Sequence, residues 1–240
     1  MRAAAQEAAT TSDAHAARSA TPSAAQGTPV LEAVDLAGER GGRPLFRALR
    51  FALRPGQVVW LRGRNGRGKT SLLRLMAGLA TPVAGAVQCD SVPLPRAGAA
   101  WRERLLFIGH ANALKEDLTV AESLRFLSQL QGRECTAAAL SEALARLGIA
   151  ALAARPVRTL SQGQRRRVAL ARLALPQPPS VWLLDEPFDA LDDDGVRRLN
   201  DLLSEHAAAG GSTLLTSHQM LTLDNPAPTL LDLDTAALAA

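Results

Sequence analysis

The 240-residue chain sets 27 Lys plus Arg against 23 Asp plus Glu, for a formal charge of +4, with 47% hydrophobic and 21% charged residues. These proportions exclude a fibrous or wholly disordered chain and suit one large globular domain. No apolar run approaches the roughly 20 residues of a membrane-spanning helix, so no direct membrane insertion is expected. The arginines are spread along the chain rather than gathered on one face, so no nucleic acid partner is expected either.

Residues 1–28 are Ala, Ser, Thr and Gln with almost no large apolar side chain. Such a segment cannot offset its ordering entropy and reads as a disordered tail, and it lacks the apolar centre of a signal peptide. Residues 29–240 read as one domain. Cys89 and Cys135 have no metal-ligand or redox spacing and read as an inert reduced pair. From Leu31, "LEAVDLAGE" and "LRFALRPG" alternate with period two, predicting antiparallel strands. "QVVWLRG" is a continuous apolar run, as a strand buried on both faces requires.

"GRNGRGKT" follows, at residues 63–70, and holds one of only two lysines in the chain, Lys69; the other is Lys115. A helix over "KTSLLRLMAGL" should stop at Gly78 and Pro82. "RLLFIGH", "SVWLLDEP" and "STLLTSH" predict three further buried strands separated by helical patterns. The fold class is therefore α/β, with a mostly parallel core sheet and an antiparallel N-terminal β subdomain. Residues 112–158 contain no such strand and predict an inserted helical subdomain. Thr119 with Glu122 forms a capping box for a helix to about Leu130, and a second helix runs from about Ala137 to Leu147.

Residues 63–70 fit G-x-x-x-x-G-K-[ST]. Its glycines let backbone N–H groups curl around phosphate oxygens at the positive end of the next helix. The candidate nucleotide-binding residues are Gly63, Arg64, Asn65, Gly66, Arg67, Gly68, Lys69, Thr70 and Ser71. Lys69 presents a compact ammonium to the β and γ phosphates, and the Thr70 hydroxyl suits Mg²⁺. Asp185, at a strand's carboxyl end, is a second Mg²⁺ candidate, and Glu186 beside it can orient or deprotonate water. In "TLSQGQRRRVALARLAL", Ser161 and Gly163 open a helix toward another anion, while Arg165 to Arg167 read as a solvated face.

"LSQGQ" (Leu160, Ser161, Gln162, Gly163, Gln164) shortly before "VWLLDEP" resembles the ATP-binding cassette ATPases of transporters, over about residues 30–235. The resemblance implies ATP and Mg²⁺ as cofactors, and Lys69, Glu186 and His218 as catalytic residues, His218 being a switch histidine for the γ-phosphate. It also implies a homodimer. Each phosphate loop then faces the partner's "LSQGQ", and Asp189, Ala190, Leu191 and Asp192 cross the interface. Two positions depart from the pattern. Arg40 stands about where an aromatic ring should stack on adenine, and Ala111 stands where a glutamine is usual, so that either His110 or Asn112 replaces it or the metal leans on Thr70 and Asp185. "GHANALKEDLTVAESLRF", with its Gly-His and "LK-x-x-LT", is similar to the ATP-binding subunit of the haem exporter complex in cytochrome c maturation. That likeness implies a peripheral ATPase on the cytoplasmic face of the inner membrane, bound to small integral-membrane subunits and driving haem handling or release of a haem-loaded chaperone. The ATPase subunit of another small-substrate exporter would share these cassette motifs. A soluble cassette acting on ribosomes or DNA is disfavoured by the single set of motifs and by the absence of a long coiled coil.

Overall fold

The computed structural model describes residues 28–176 and 180–236. The expected N-terminal tail, apart from Thr28, lies outside them. Strands β1 (Leu31–Arg40) and β2 (Arg43–Leu53) form an antiparallel hairpin. Its two-residue turn, Gly41 and Gly42, has positive φ at both positions (58° and 75°), which glycine adopts without a Cβ penalty. Strand β3 (Val58–Arg62) leads through the glycine-rich loop into helix α1 (Lys69–Met76). A Schellman turn closes α1: Leu79 N–H bonds Arg74 O, Gly78 N–H bonds Leu75 O, and Gly78 takes φ 73°.

Two strands that sequence reasoning passed over come next, β4 (Ala84–Cys89) and β5 (Val92–Pro93). They complete a four-stranded antiparallel sheet in the order β2-β1-β4-β5. The chain continues through α2 (Leu94–Arg104), broken at Gly98, then β6 (Leu105–Ile108), α3 (Val120–Leu130) and α4 (Ala137–Arg146). The capping box at Thr119 forms with both reciprocal bonds to Glu122. Residues 112–158 hold α3, α4 and two short 3₁₀ turns, and no strand beyond a single bridge between Thr119 and Pro156.

Helix α5 (Gln162–Leu170), strand β7 (Val181–Leu184), helix α6 (Asp193–Ala208), strands β8 (Ser212–Thr216) and β9 (Thr229–Asp232), and helix α7 (Leu233–Ala236) complete the described chain. The second sheet runs β6-β7-β8-β3-β9 with every pairing parallel. β9 is the third strand that the sequence did not reveal.

The parallel sheet divides the core. Val181, Leu183 and Leu214 face one side, where α1 and the antiparallel sheet pack. Trp182, Leu184 and Leu215 face the other, against α3 to α6. β7 and β8 are buried along their whole length; β7 is an unbroken apolar run, whereas β8 sets Leu214 and Leu215 between buried hydroxyl residues. The Trp182 ring stacks on His206 of α6, with centroids 3.6 Å apart and 5° between planes. Burial there lowers the His206 pKa to about 4. Both cysteines are free, and no described helix is long and apolar enough to cross a membrane.

Candidate functional site

The carboxyl ends of β7, β8 and β3 lie side by side, the position at which open parallel sheets present their loops to ligands. From β3 the loop turns through Gly63, Gly66 and Gly68 at φ 150°, 80° and 104°. At Gly68 the conformation is joined by crowding, since a Cβ would sit 3.0 Å from that of Leu45. Gly68 is also the N-cap of α1 and offers no side-chain acceptor, so the helix's first N–H groups remain for another anion. Lys69 folds back over the loop, its Nζ donating to Gly63 O at 2.9 Å.

Opposite the loop, Thr70 Oγ1 donates to Asp185 Oδ2 at 2.9 Å, and Thr216 Oγ1 donates to Asp185 Oδ1 at 3.0 Å. This buried carboxylate therefore spends both oxygens on hydroxyls. Among the described residues no group of three or more His, Cys, Asp or Glu could hold a metal. The Thr70 hydroxyl and the Asp185 carboxylate instead supply two hard oxygen donors. That fits Mg²⁺, which takes few protein ligands and fills its shell with water and phosphate oxygens.

Glu186 takes φ 49°, a left-handed conformation that is strained in a residue with a Cβ. Four bonds hold it there, one of them from the Asp189 N–H to its carbonyl at 3.2 Å. Its N–H donates to Thr216 Oγ1 (2.7 Å), the N–H of His218 donates to its Oε2 (3.0 Å), and its carbonyl accepts from Arg166 (2.7 Å). The His218 ring approaches its other oxygen, with Nε2 at 3.4 Å from Oε1. Burial pushes the Glu186 pKa up, the charge and N–H of His218 and then Lys69 hold it down, and Asp189 adds to the rise. An open cleft of about 280 Å³ joins the phosphate loop, Asp185, Glu186, His218 and His110, with Arg40 and Leu45 at its rim.

The solvated-face expectation for Arg165 to Arg167 is corrected here. Arg166 is 3% exposed, with its guanidinium enclosed by acceptors. It donates to the carbonyls of Gly109 (3.1 Å), Asp185 (2.9 Å), Glu186 (2.7 Å) and Pro187 (3.3 Å), and to Asn112 Oδ1 (3.0 Å). Arg167 is likewise enclosed, against Asp192 and Asp194 and the carbonyl of Leu147, while Arg165 bonds Glu116 and Arg158 O. A lone helix periodicity could not show this. The acceptors arrive from the β6 and β7 ends, far away in sequence.

Most of the other candidates lie outside the cleft, His110 at its edge being the exception. Ser161 caps α5 through a reciprocal box with Gln164, so Leu160 to Gln164 present the start of α5 rather than line the chain's own cleft. Gly163 packs on the 189–192 loop, where a Cβ would lie 2.7 Å from Ala190 O. Asp192 caps α6 at Gly195 N–H. His110 stands exposed with Nδ1 4.0 Å from Asp189 Oδ2, Ala111 is exposed, and Asn112 is the loop residue that reaches Arg166. Arg67 turns away from the cleft to Asp234 (3.2 Å). Sequence reasoning missed Leu45, Thr216, Arg166 and Asp234. Thr216 alone had a local signal, as the hydroxyl that closes the strand just before Ser217 and His218.

Residues 46–189 match the family model described as "ABC transporter". The chain is 47% identical over 210 residues to the cytochrome c biogenesis ATP-binding export protein CcmA of Aromatoleum aromaticum, covering 88% of this chain and 98% of that one. Its identity to the same-named protein of Pseudomonas syringae pv. syringae is 49% over 195 residues, covering 81% and 90%. Among solved structures, the dimeric form of MJ0796, a bacterial ABC transporter cassette, superposes with a TM-score of 0.73 at 21% identity, covering 85% of this chain and 94% of that one, and so shares its fold. The phosphate loop, the paired acids closing β7 and nearly full-length identity thus lead to one conclusion: the chain belongs to the ABC transporter ATPases, in the family of the cytochrome c biogenesis ATP-binding export proteins.

Proposed function

We propose that two copies of this chain close on two ATP molecules as the peripheral ATPase of an export complex. The complex sits at the cytoplasmic face of the inner membrane, and hydrolysis there serves haem handling in cytochrome c biogenesis. The observation that carries the mechanism is the convergence on one cleft of the Lys69 loop, the Thr70–Asp185 pair and the Glu186–His218 pair.

Lys69 and the open N–H groups of α1 bind the phosphates. Thr70 and Asp185 would hold Mg²⁺, which would offset phosphate charge. Glu186 is held in a strained, enclosed position with its carboxylate toward the cleft, where it orients water and accepts its proton. His218 fixes that carboxylate through its own N–H and presents its ring to the same space. Ser161 and Gly163 of the partner subunit close over the γ-phosphate. Arg40 and Leu45 flank the position for the base. Integral-membrane subunits receive the motion through residues 112–158, and Asn112 is the link from that segment to the hydrolytic end of β7 through Arg166.

The test is covalent-haem staining of membrane proteins from cells in which Glu186→Gln replaces the native residue. Loss of c-type haem bands with the variant still expressed is the expected result. Persistent bands would assign this ATPase to another exporter.

A further inference from the structure

The phosphate loop is held at one flank of the nucleotide cleft by the last described turn of the chain, whose Asp232 and Asp234 line an adjoining pocket with Gly63, Lys69 and His218. Strand β9 lies parallel to β3 with Arg62 opposite Asp232, so α7 emerges beside the first residues of the loop. Asp232 Oδ1 accepts the N–H of Asp234 at 2.8 Å, which fixes where Asp234 begins. Leu233, between them, is fully buried, and a Cβ at Gly63 would lie 3.3 Å from its own. α7 is therefore anchored by packing. From it, Asp234 Oδ2 accepts the main-chain N–H of Arg64 at 2.9 Å, and Oδ1 pairs with Arg64 Nε at 3.5 Å and Arg67 Nε at 3.2 Å. One carboxylate thus grips two positions of a loop whose remaining turns are glycines at positive φ. Glycine leaves a loop with the most conformational freedom to lose.

We infer that Asp234 is a positioning residue for nucleotide binding: it fixes the leading half of the phosphate loop in its binding shape before nucleotide arrives. Two opposing effects follow from a carboxylate here. Its negative charge opposes phosphate, but it acts across solvent and is screened by salt and by the two arginines beside it. Its bond to the loop N–H is a direct, charge-assisted contact, and the depressed Asp234 pKa has that bond as its first cause. Preorganisation of the loop outweighs repulsion, because ordering the loop after binding would otherwise be charged against affinity.

The inference rests on residues 63–70 being the phosphate site, and the experiment separates the two. Kd for a fluorescent mant-ATP is measured with Mg²⁺ on the purified full chain and on Lys69→Ala, Asp234→Ala, Asp234→Asn and Arg67→Ala. Lys69→Ala tests the phosphate site itself; a wild-type Kd there overturns that reading. Asp234→Ala is expected to raise Kd about tenfold. Asp234→Asn, which keeps an acceptor for Arg64 N–H and removes the charge, is expected to raise it at most about threefold. That rescue is what a positioning role demands. Asp234→Ala within twofold of wild type, or tighter binding by both Asp234 variants, overturns the inference and would make the carboxylate inert or repulsive. Should Asp234→Ala fail to fold, Arg67→Ala examines the same grip from the loop side. A wild-type Kd in that variant, together with binding by Asp234→Asn tighter than wild type, would equally overturn it.

Discussion

Arg166→Met removes a side chain that joins α5, the loop after β6 and the end of β7. The guanidinium supplies hydrogen bonds to four main-chain carbonyls and to Asn112. The Glu186 carbonyl keeps the Asp189 N–H at 3.2 Å. A carbonyl left without a donor costs about 1 kcal/mol or more, so the other three give about 3 kcal/mol, while the Asn112 amide can turn to water. Relief of the buried charge, whose desolvation lowers the Arg166 pKa, offsets part of this. A net loss of about 2 kcal/mol remains, a substantial share of the roughly 5–15 kcal/mol of a folded domain. In a chain of this size it lowers Tm by about 4–8 °C. Activity should fall more sharply than stability implies. Glu186 keeps its left-handed backbone because its neighbours hold it, and Arg166 bonds its carbonyl. Release of that peptide lets the carboxylate leave the cleft, for a fall in kcat of about a hundredfold, or roughly 2.7 kcal/mol of barrier. Urea unfolding, with mant-ATP binding and ATP turnover measured at a temperature where the variant is folded, gives the three readouts. Stability within about 1 kcal/mol of wild type, or unchanged turnover, would refute the reasoning.

Three further predictions concern groups around this centre. Restoring glutamine by Ala111→Gln should leave ATP turnover within about tenfold, a barrier change under roughly 1.4 kcal/mol, because Asn112 already makes the contact to Arg166; a greater fall in a kinetic assay would show that the loop tolerates no longer side chain. The acid limb of the kcat/KM pH profile should lie above the ordinary Glu value of 4.5, since the group must be ionised to accept a proton and burial raises its pKa. Asp189→Asn removes a contributor to that rise and should move the limb down, so a limb moving up would contradict the assignment. His206 is lowered from 6.5 to about 4, so the unfolded chain binds a proton that the folded chain refuses. Its influence is absent above pH 6.5, and stability then falls toward pH 4 by about 3 kcal/mol, a slope that His206→Phe should flatten in denaturant titrations at several pH values.

Much of this architecture was legible because burial on both faces writes itself locally. β3, β6 and β7 each carry a continuous apolar run, β8 carries Leu214 and Leu215 between small hydroxyl residues, and the Thr119 and Ser161 caps follow from side chains three residues apart. β4, β5 and β9 were not legible. "AGAVQC" is short and rich in small residues, "VP" is only two residues, and "TLLD" follows a proline-containing stretch that reads as loop. The site divided in the same way. Lys69, Thr70, Asp185, Glu186 and His218 announce themselves because each closes or follows a recognisable strand. Arg166 could not, since "QRRRV" on a helix looks like solvated charge until the carbonyls that enclose it are brought in from residues 109 and 185–187. Asp234 depends on a contact spanning 170 residues.

The sheet order carries a consequence for when the site can exist. β3, which launches the phosphate loop, is flanked by β8 and β9, both supplied by residues after 211. On the ribosome, β1, β2 and α1 emerge long before either flanking strand is made, so the loop has its sequence early and its walls late. Contacts of such wide separation form slowly and near the end of folding. A nascent chain arrested before residue 212 leaves β3 without a sheet neighbour and the loop without Thr216, His218 or Asp234. Nucleotide capture thus awaits β8 and β9: ATP stabilises only molecules in which both strands flank β3.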